Sequence, residues 1–193
     1  VGQDAYTGPL IVSGDDQALT DKQTCREFDK IFELLREDVV NFSAWWECSQ
    51  NPDCNTEEYF PGYVIPQSIL NWPAHGPQGG YSYYLAPFYD VNEDGLYNPY
   101  DGDFPYFEFP EDGITDNPDC LDTRDLTPKL YGDQTLWWVY NDAGNEHGET
   151  GGVPLGVEVH AQAFAYADQG VLNDQTFYQY QIINRSTHTY HDF

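Results

Sequence analysis

The sequence predicts a mainly β (α+β) fold, in which an antiparallel sheet or sandwich carries one α-helix and long loops, one of them bracing a calcium ion. Segments that alternate apolar and polar residues and are rich in β-branched and aromatic side chains fill the last third of the chain, as is typical of strands. One stretch near the N-terminus repeats its apolar residues at helical spacing. Pro and Gly interrupt most of the chain between these two parts, so we expect loops there.

The first part of the chain predicts an initial strand with a loop, and then a helical pattern. Residues 1–20 are rich in Gly, Asp and Ser around one apolar run at 10–12. From residue 20 onward, apolar residues recur at intervals of three and four, which places them on one face of a helix and indicates core packing. Alternation across residues 28–34 also allows a short strand followed by a helix from about Arg36. The helical stripe consists of Cys25, Phe28, Phe32, Leu35, Val39, Phe42 and Trp46.

The C-terminal part predicts three strands. Residues 47–80 contain repeated Pro and Gly, so no regular element longer than a turn or two is expected there. Strand patterns appear only after residue 133, at 134–140 (QTLWWVY), 157–167 (VEVHAQAFAYA) and 176–184 (TFYQYQIIN). A turn around residues 168–170 joins the second strand to the third. These segments predict an antiparallel sheet in the C-terminal half.

Length and charge limit the classes of function. We expect residues 1–193 to form a single β-rich domain or a domain pair within a longer polypeptide. The net charge of −26 argues against nucleic-acid binding through a basic patch and against attachment to anionic lipid. The longest notable apolar run, 136–140, is far too short for membrane insertion. Mean hydropathy is low at −0.63, but 17% of residues are aromatic, which indicates a folded chain.

Residues 90–101 (DVNEDGLYNPYD) match the twelve-residue ligand pattern of an EF-hand loop, with Asp replacing Glu at the last place. Gly95 stands at the sixth place, where such a loop turns sharply. The Gly and Pro residues at 102, 105 and 110 exclude the exit helix of a true EF-hand, so we expect the loop to lie between irregular or strand segments. The predicted calcium ligands are Asp90, Asn92, Asp94, the backbone carbonyl of Leu96, Asn98 and Asp101.

Other polar stretches are weaker candidates for a metal or catalytic site. Residues 111–125 place an Asp at every third position from 116, but without a Gly-centred ligand order a solvated loop is the simpler interpretation. Nucleophile-elbow, phosphate-loop and Cys–His signatures are lacking, and no carboxylate pair stands out among the 33 acids. The remaining weak candidates for a metal or acid–base group are Asp142, Asn145, Glu146, His147, Glu149 and His160.

The four cysteines indicate two disulfides in a secreted chain. A Cys-x-x-Cys pair is absent, which favours bridges over a zinc site. Cys48 and Cys54 enclose five residues that contain an Asn-Pro turn at 51–52, so we predict that they pair. The second predicted bridge joins Cys25 to Cys120 and ties the helical segment to the acidic stretch.

Several sequence blocks together resemble one group of exported proteins. They are residues 65–76 (IPQSILNWPAHG), 85–95 (LAPFYDVNEDG) and 131–142 (YGDQTLWWVYND), with shorter matches at 144–145, 149–152, 156–159 and 176–178. From about residue 6 onward, the chain is similar to large secreted or surface-anchored proteins of Bacteroidota that carry a C-terminal type IX secretion sorting domain. The resemblance implies export to the extracellular side or outer cell surface, an oxidising location that permits both disulfides. It also supports a strand to about Leu34 and a helix after it, because relatives often have a capping Ser or Thr where this chain has Leu35.

The resemblance implies no reaction, and the sequence contains no catalytic signature. We therefore expect a non-catalytic extracellular structural or adhesive module, stabilised by calcium, that acts as a subunit of a cell-surface or filamentous assembly. Its expected partners are further copies of itself or other surface proteins. The alternative is a secreted carbohydrate-binding or carbohydrate-cleaving protein, since exposed Trp and Tyr rings can stack on a polysaccharide.

Overall fold

The computed structural model describes residues 4–12, 18–76, 84–107, 130–144, 146–148 and 150–191. The strands within these residues, numbered in chain order, are β1 (Tyr6–Thr7), β2 (Ile11–Val12), β3 (Ala18–Leu19), β4 (Phe32–Leu35), β5 (Phe88–Tyr89), β6 (Phe104–Pro105), β7 (Gln134–Asn141), β8 (Val157–Ala165) and β9 (Thr176–Asn184). The helices are α1 (Lys22–Glu27), α2 (Arg36–Gln50), α3 (Thr56–Tyr59) and α4 (Gln67–Leu70). Two 3₁₀ helices cover Pro99–Asp101 and Val171–Asp174.

The main sheet has five antiparallel strands, which confirms the predicted mainly β fold. β8 lies between β7 and β9, while β1 and β4 both pair with the other edge of β7. Two small sheets, β2–β3 and β5–β6, complete the described β structure. The three predicted C-terminal strands are all present; β7 is one residue longer than expected, and β8 ends at residue 165 rather than 167.

The apolar stripe from Cys25 to Trp46 is not one continuous helix. Asp21 caps α1 by accepting hydrogen bonds from the backbone N–H groups of Gln23 and Thr24, and α1 ends at residue 27. The chain then forms β4, which pairs with β7, and only afterwards enters α2 at Arg36. The alternative of a short strand followed by a helix is therefore the correct one. Pairing with β7 decides this, because it buries Leu34 and brings Phe32 opposite Trp137.

The hydrophobic core lies on one side of the main sheet, which we call the core face. α2 lies on this side, since its buried residues Val39 and Phe42 belong to the same core cluster as those of β4 and β7. The region after α2 forms only the single-turn helices α3 and α4 within its described part, as the repeated Pro and Gly predicted. The central side chains of the core are Leu34, Val39, Phe42, Ile69, Trp72, Phe104, Trp137 and Val139.

The opposite side of the sheet, which we call the outer face, is apolar as well. The strand register aligns each large side chain of β7 with a small residue of β8 and then with a large residue of β9. These cross-strand rows are Leu136–Ala163–Tyr178, Trp138–Ala161–Tyr180 and Tyr140–Val159–Ile182. None of the described helices is long and apolar enough to cross a membrane.

Candidate functional site

The predicted calcium loop connects two paired strands. It follows β5 and leads through the 3₁₀ helix at Pro99–Asp101 into β6, and β5 pairs antiparallel with β6. No α-helix leaves the loop within the described residues up to 107. The expectation that the loop lies between irregular or strand segments is therefore confirmed.

The first half of the loop is held by its own side-chain oxygens. The carboxylate of Asp90 accepts hydrogen bonds from the backbone N–H groups of Asp94 (3.3 Å) and Gly95 (2.7 Å). Asn92 Oδ1 also accepts from the Asp94 N–H, at 3.1 Å, and Asp94 Oδ1 accepts from the Leu96 N–H at 2.7 Å. Gly95 has φ +78°, a left-handed conformation that suits glycine, which explains why the sixth place carries this residue. Three predicted ligands thus lie side by side.

The second half of the loop forms a separate group. Asn98 Oδ1 accepts from the Tyr100 N–H at 3.1 Å, and Asn98 Nδ2 donates to Asp101 Oδ2 at 2.6 Å. Across the residues that the structure describes, no three Asp, Glu, His or Cys side chains are close enough together to hold a metal ion. Among the described residues, no hydrogen bond links Asp101 to Asp90 or Asp94, since Asp101 bonds to Asn98 whereas Asp90 bonds to the Asp94 and Gly95 N–H groups. In this conformation the predicted ligands form an Asp90–Asn92–Asp94 group and an Asn98–Asp101 group.

Asp103 joins the two halves of the loop, and the sequence did not single it out. Its side chain is fully buried, and its two oxygens accept hydrogen bonds from the backbone N–H groups of Val91 (2.9 Å) and Asn98 (2.8 Å). Burial raises the pKa of Asp103 above its usual value, repulsion from Asp90 and Asp94 raises it further, and the two backbone hydrogen bonds oppose this rise. In the sequence, Asp103 is one more acid in an acidic stretch, so nothing marked it as structural.

The loop is fixed to the helical side of the molecule. Tyr97 donates its backbone N–H to His75 Nε2 at 2.8 Å and its hydroxyl to the carbonyl of Ile69 at 2.7 Å. Gly102 has φ +103°, and a Cβ atom there would lie 2.4 Å from the ring of Trp46 on α2. The loop therefore packs closely against α2 and α4, and its position depends on the core.

The weaker sequence candidates have structural roles where the structure describes them. The carboxylate of Asp142 accepts from the backbone N–H groups of residues 155, 156 and 157, so it holds a turn before β8. His147 lies 3.7 Å from that same carboxylate, whereas His160 bonds to Glu158 at 2.8 Å. Glu146 is exposed. Residues 111–125, Asn145 and Glu149 lie outside the described residues.

Glu158 is a second buried carboxylate that sequence reasoning missed. It is fully buried on the core face of β8 and accepts hydrogen bonds from the Leu10 N–H (2.6 Å) and from Arg185 Nη2 (3.0 Å), in addition to its contact with His160. These three partners come from the N-terminal segment, from β8 itself and from the segment after β9. Glu158 therefore connects distant parts of the chain, and a structural role accounts for its burial.

The disulfide between Cys48 and Cys54 is confirmed, with Cα atoms 5.2 Å apart. The Cys54 N–H donates to the carbonyl of Asn51, so the expected turn closes the bridge. Cys25 is half-buried and forms no disulfide with another described residue, and its sulfur lies 3.5 Å from Thr20 Oγ1. Its predicted partner, Cys120, lies outside the described residues, and that pairing stays a prediction.

The last strand, β9, is the most exposed of the three long strands. It pairs with β8 over nine consecutive residues without a bulge, and within the described part of the chain no strand pairs with its other edge. Seven of its nine residues are exposed, including residues of both faces. Residues 176–184 carry no charged side chain, although the whole chain has a net charge of −26. β9 is therefore a long, neutral strand, and one of its edges is open as far as the described strands are concerned.

Comparison with known proteins adds no family assignment. No protein-family model, no curated protein and no solved structure matches this chain.

Proposed function

We propose that this chain is a non-catalytic structural or adhesive module, stabilised by calcium, that is a subunit of an extracellular, cell-surface or filamentous assembly. The observation that carries the proposal is the neutral open edge of β9. Folded proteins commonly protect such an edge with charges, Pro or bulges, because unpaired backbone groups recruit further strands. β9 has none of these features over residues 176–184. Location at the outer surface and export by type IX secretion are part of the proposal and rest on the sequence resemblance.

Calcium is proposed to stabilise the module through the 90–101 loop. Asp90, Asn92 and Asp94 already hold one another through backbone N–H groups, which leaves further oxygen lone pairs for a cation. Moving Asp101 towards Asp90 and Asp94 would complete the predicted ligand set. A cation there would also offset the repulsion among these acids and the nearby buried Asp103.

Removing calcium should lower the melting temperature of the protein. With free calcium at a hundred times the dissociation constant, binding adds about 2.7 kcal/mol to the free energy of unfolding. The paired change Asp90→Ala and Asp94→Ala should abolish the difference between calcium and chelator. Asp90→Asn with Asp94→Asn should abolish it too, but with less damage in chelator, because each Asn keeps one oxygen acceptor for the loop hydrogen bonds.

A control pair separates ligation from the general effect of charge. Asp53 and Asp168 are exposed acids outside the loop. Asp53→Asn with Asp168→Asn therefore removes the same number of negative charges as the ligand variant, but leaves the predicted ligands unchanged. Calcium should stabilise this control as much as it stabilises the unaltered protein. An unchanged melting curve of the unaltered protein in chelator would contradict the proposed calcium site.

Assembly and catalysis can be distinguished directly. Because the net charge of −26 opposes self-association, subunit contacts should require salt or divalent cations that screen the acids. Light scattering on the native protein with and without millimolar calcium should detect particles that dissociate in chelator. A calcium-independent monomer that hydrolyses a polysaccharide would refute the proposal.

One observation favours carbohydrate binding as a second candidate function. The rings of Tyr178 and Tyr180 on β9 are almost parallel, with an interplanar angle of 5° and centroids 6.5 Å apart, and both side chains are exposed. Sugar rings can stack on the faces of exposed aromatic side chains. Titration with oligosaccharides, followed by tyrosine and tryptophan fluorescence, tests this function; Tyr178→Ala should weaken any binding.

A further inference from the structure

We propose that two copies of this chain join edge to edge through β9, antiparallel and with Tyr180 of one copy opposite Tyr180 of the other. The main sheets of both copies would then form one continuous sheet. This inference rests on the proposed function and names the partner, a second copy, and the strand that binds it.

The hydrogen-bond pattern shows which backbone groups of β9 are available. The Arg185 N–H donates to the Gly156 carbonyl at 2.9 Å, and the next register pair is Val157 with Asn184. Since hydrogen-bonded and non-bonded pairs alternate in an antiparallel ladder, residues 177, 179, 181 and 183 direct their backbone groups towards β8. The even-numbered residues from 176 to 184 direct their N–H and C=O groups away from it. These groups form the open edge.

The open edge is symmetric about Tyr180. Tyr180 is the central residue of the nine in β9, and two outward-facing residues lie on each side of it. A twofold axis beside Tyr180 therefore pairs every outward-facing residue with another outward-facing residue, Tyr178 with Ile182 and Thr176 with Asn184. All five outward-facing residues of each copy would form ladder hydrogen bonds, so this register leaves none of these backbone groups unpaired.

The side chains fit the same register. Tyr178, Tyr180 and Ile182 lie on the outer face and are 61%, 54% and 57% exposed. Across the twofold axis, Tyr packs beside Ile and Tyr beside Tyr, and such aromatic and β-branched cross-strand pairs stabilise sheets. The row of large residues on β9 would thereby gain a matching row on its open side.

Charge favours a second copy in antiparallel orientation. The strand itself is neutral, so no like charges face each other within the pair, whereas another surface of this acidic chain would bring acids. The flanking charges are Asp174 before the strand and Arg185 after it. Arg185 is already paired with Glu158 of its own copy, so Asp174 is the charge that decides the orientation. Antiparallel pairing places the two Asp174 residues at opposite ends of the paired strands, while parallel pairing would bring them together.

The first test removes one outward-facing donor. Tyr180→Pro deletes an N–H that does not bond to β8, so the β8–β9 ladder can remain, and Pro is tolerated on such an edge. Sedimentation velocity of the full chain in calcium and salt should give a dimer or multiples of it, and Tyr180→Pro should abolish this association. Val171→Pro is the matched control, since Val171 is 77% exposed at the first position of a 3₁₀ helix, where Pro is tolerated. Circular dichroism checks that each variant keeps the fold. Tyr180→Lys is the second variant, and it should also abolish the association because it places two like charges beside the twofold axis.

The second test determines which residues of the two β9 strands face each other. In the proposed pair the Cα atoms of the two Tyr180 residues would be about 5.5 Å apart, a separation suited to a disulfide. Tyr180→Cys should therefore form a disulfide-linked dimer with oxidised glutathione, mapped to position 180 by peptide analysis. Gln181→Cys should not link to itself, because position 181 faces position 179 of the other copy.

The outcomes separate this inference from the proposed function. Particles that persist in Tyr180→Pro, together with no disulfide-linked dimer in Tyr180→Cys, would overturn the β9 pairing and leave assembly intact. A native monomer that binds a different protein through β9 would overturn the pairing with a second copy, yet uphold a role in assembly. A native monomer that binds no protein would refute both.

Discussion

Two buried tyrosine hydroxyls differ in whether they have a hydrogen-bond acceptor. Tyr97 donates to the carbonyl of Ile69, whereas the buried hydroxyl of Tyr63 has no partner among the described residues. A buried donor without a partner is unfavourable, while a satisfied one contributes about 0.5–1.5 kcal/mol. Tyr63→Phe should therefore keep or raise the free energy of unfolding, and Tyr97→Phe should lower it by about 1 kcal/mol. Urea unfolding measures both; a larger loss in Tyr63→Phe than in Tyr97→Phe would contradict this assignment.

The same Tyr63 variant should change the response to alkaline pH. Burial, with a contribution from the negative charge of Asp38, raises the pKa of Tyr63 to about 12. Between about pH 10, the ordinary tyrosine value, and pH 12, the folded protein retains a proton that the unfolded chain has lost. The free energy of unfolding must therefore decrease as pH rises through this window, and this decrease should be smaller in Tyr63→Phe. The difference between the two unfolding profiles isolates Tyr63 from the other tyrosines.

Glu158 should be among the residues whose neutralisation is most damaging. Its carboxylate is fully buried and bonds to His160 and Arg185, and the Arg185 Nε atom is itself buried without a partner among the described residues. Glu158→Gln would leave the largely buried guanidinium of Arg185 without its counter-charge. Breaking a fully buried ion pair costs about 3–5 kcal/mol, so we expect a loss in the free energy of unfolding of up to about this size. Glu33→Gln is the control, because Glu33 is an exposed acid on β4 and should change stability by less than about 0.5 kcal/mol. A similar decrease in the free energy of unfolding in both variants would contradict the stabilising role of the Glu158 network.

At the scale of elements, the start of α2 is suboptimal. Leu35 is its N-cap residue, with extended dihedral angles of φ −99° and ψ 135°, and its side chain accepts no capping hydrogen bond. Leu35→Ser would supply an oxygen to the free N–H groups of the first turn and should raise the free energy of unfolding by about 0.5–1 kcal/mol. Thermal melting measures the gain.

The neighbouring residue provides the matched control for this capping variant. Leu34 is only 1% exposed and belongs to the core, so Leu34→Ser should lower the free energy of unfolding by about 2–5 kcal/mol. A loss in Leu35→Ser would show that its apolar contacts on β4 outweigh the cap.

At the scale of the whole molecule, the predicted bridge between Cys25 and Cys120 would connect distant segments. Cys25 is half-buried and lines an open cleft together with Tyr6, Asp21 and Lys22. Closing a loop of nearly 100 residues stabilises a fold by up to about 4–5 kcal/mol in the chain-entropy model. Peptide mapping without reductant should recover a peptide linking these two cysteines beside the Cys48–Cys54 bridge. Free thiols at both 25 and 120 would refute it.

Local sequence determined the features that depend on residues close together in the chain. Two-residue alternation predicted β7, β8 and β9 almost to their ends, since each face of a strand has its own polarity. The turn at residues 51–52 predicted the Cys48–Cys54 bridge, and Gly95 predicted the sharp turn of the acidic loop. Antiparallel pairing of the three C-terminal strands followed from the same patterns. The fold class therefore needed no information beyond the sequence.

Tertiary structure alone decided the features that depend on distant partners. The stripe from Cys25 to Trp46 fitted one helix by spacing, but pairing of β4 with β7, about 100 residues away, converted its middle into a strand. The sequence does not distinguish Asp103 and Glu158 from the other acids among its 33. In the folded chain they are buried because distant backbone N–H groups, those of Val91 and Leu10, donate hydrogen bonds to them. Exposure of β9 on both faces likewise depends on how far the core extends beneath the sheet. Burial is a property of the assembled fold, so no local pattern of apolar and acidic residues can determine which acids become buried and which apolar side chains stay exposed.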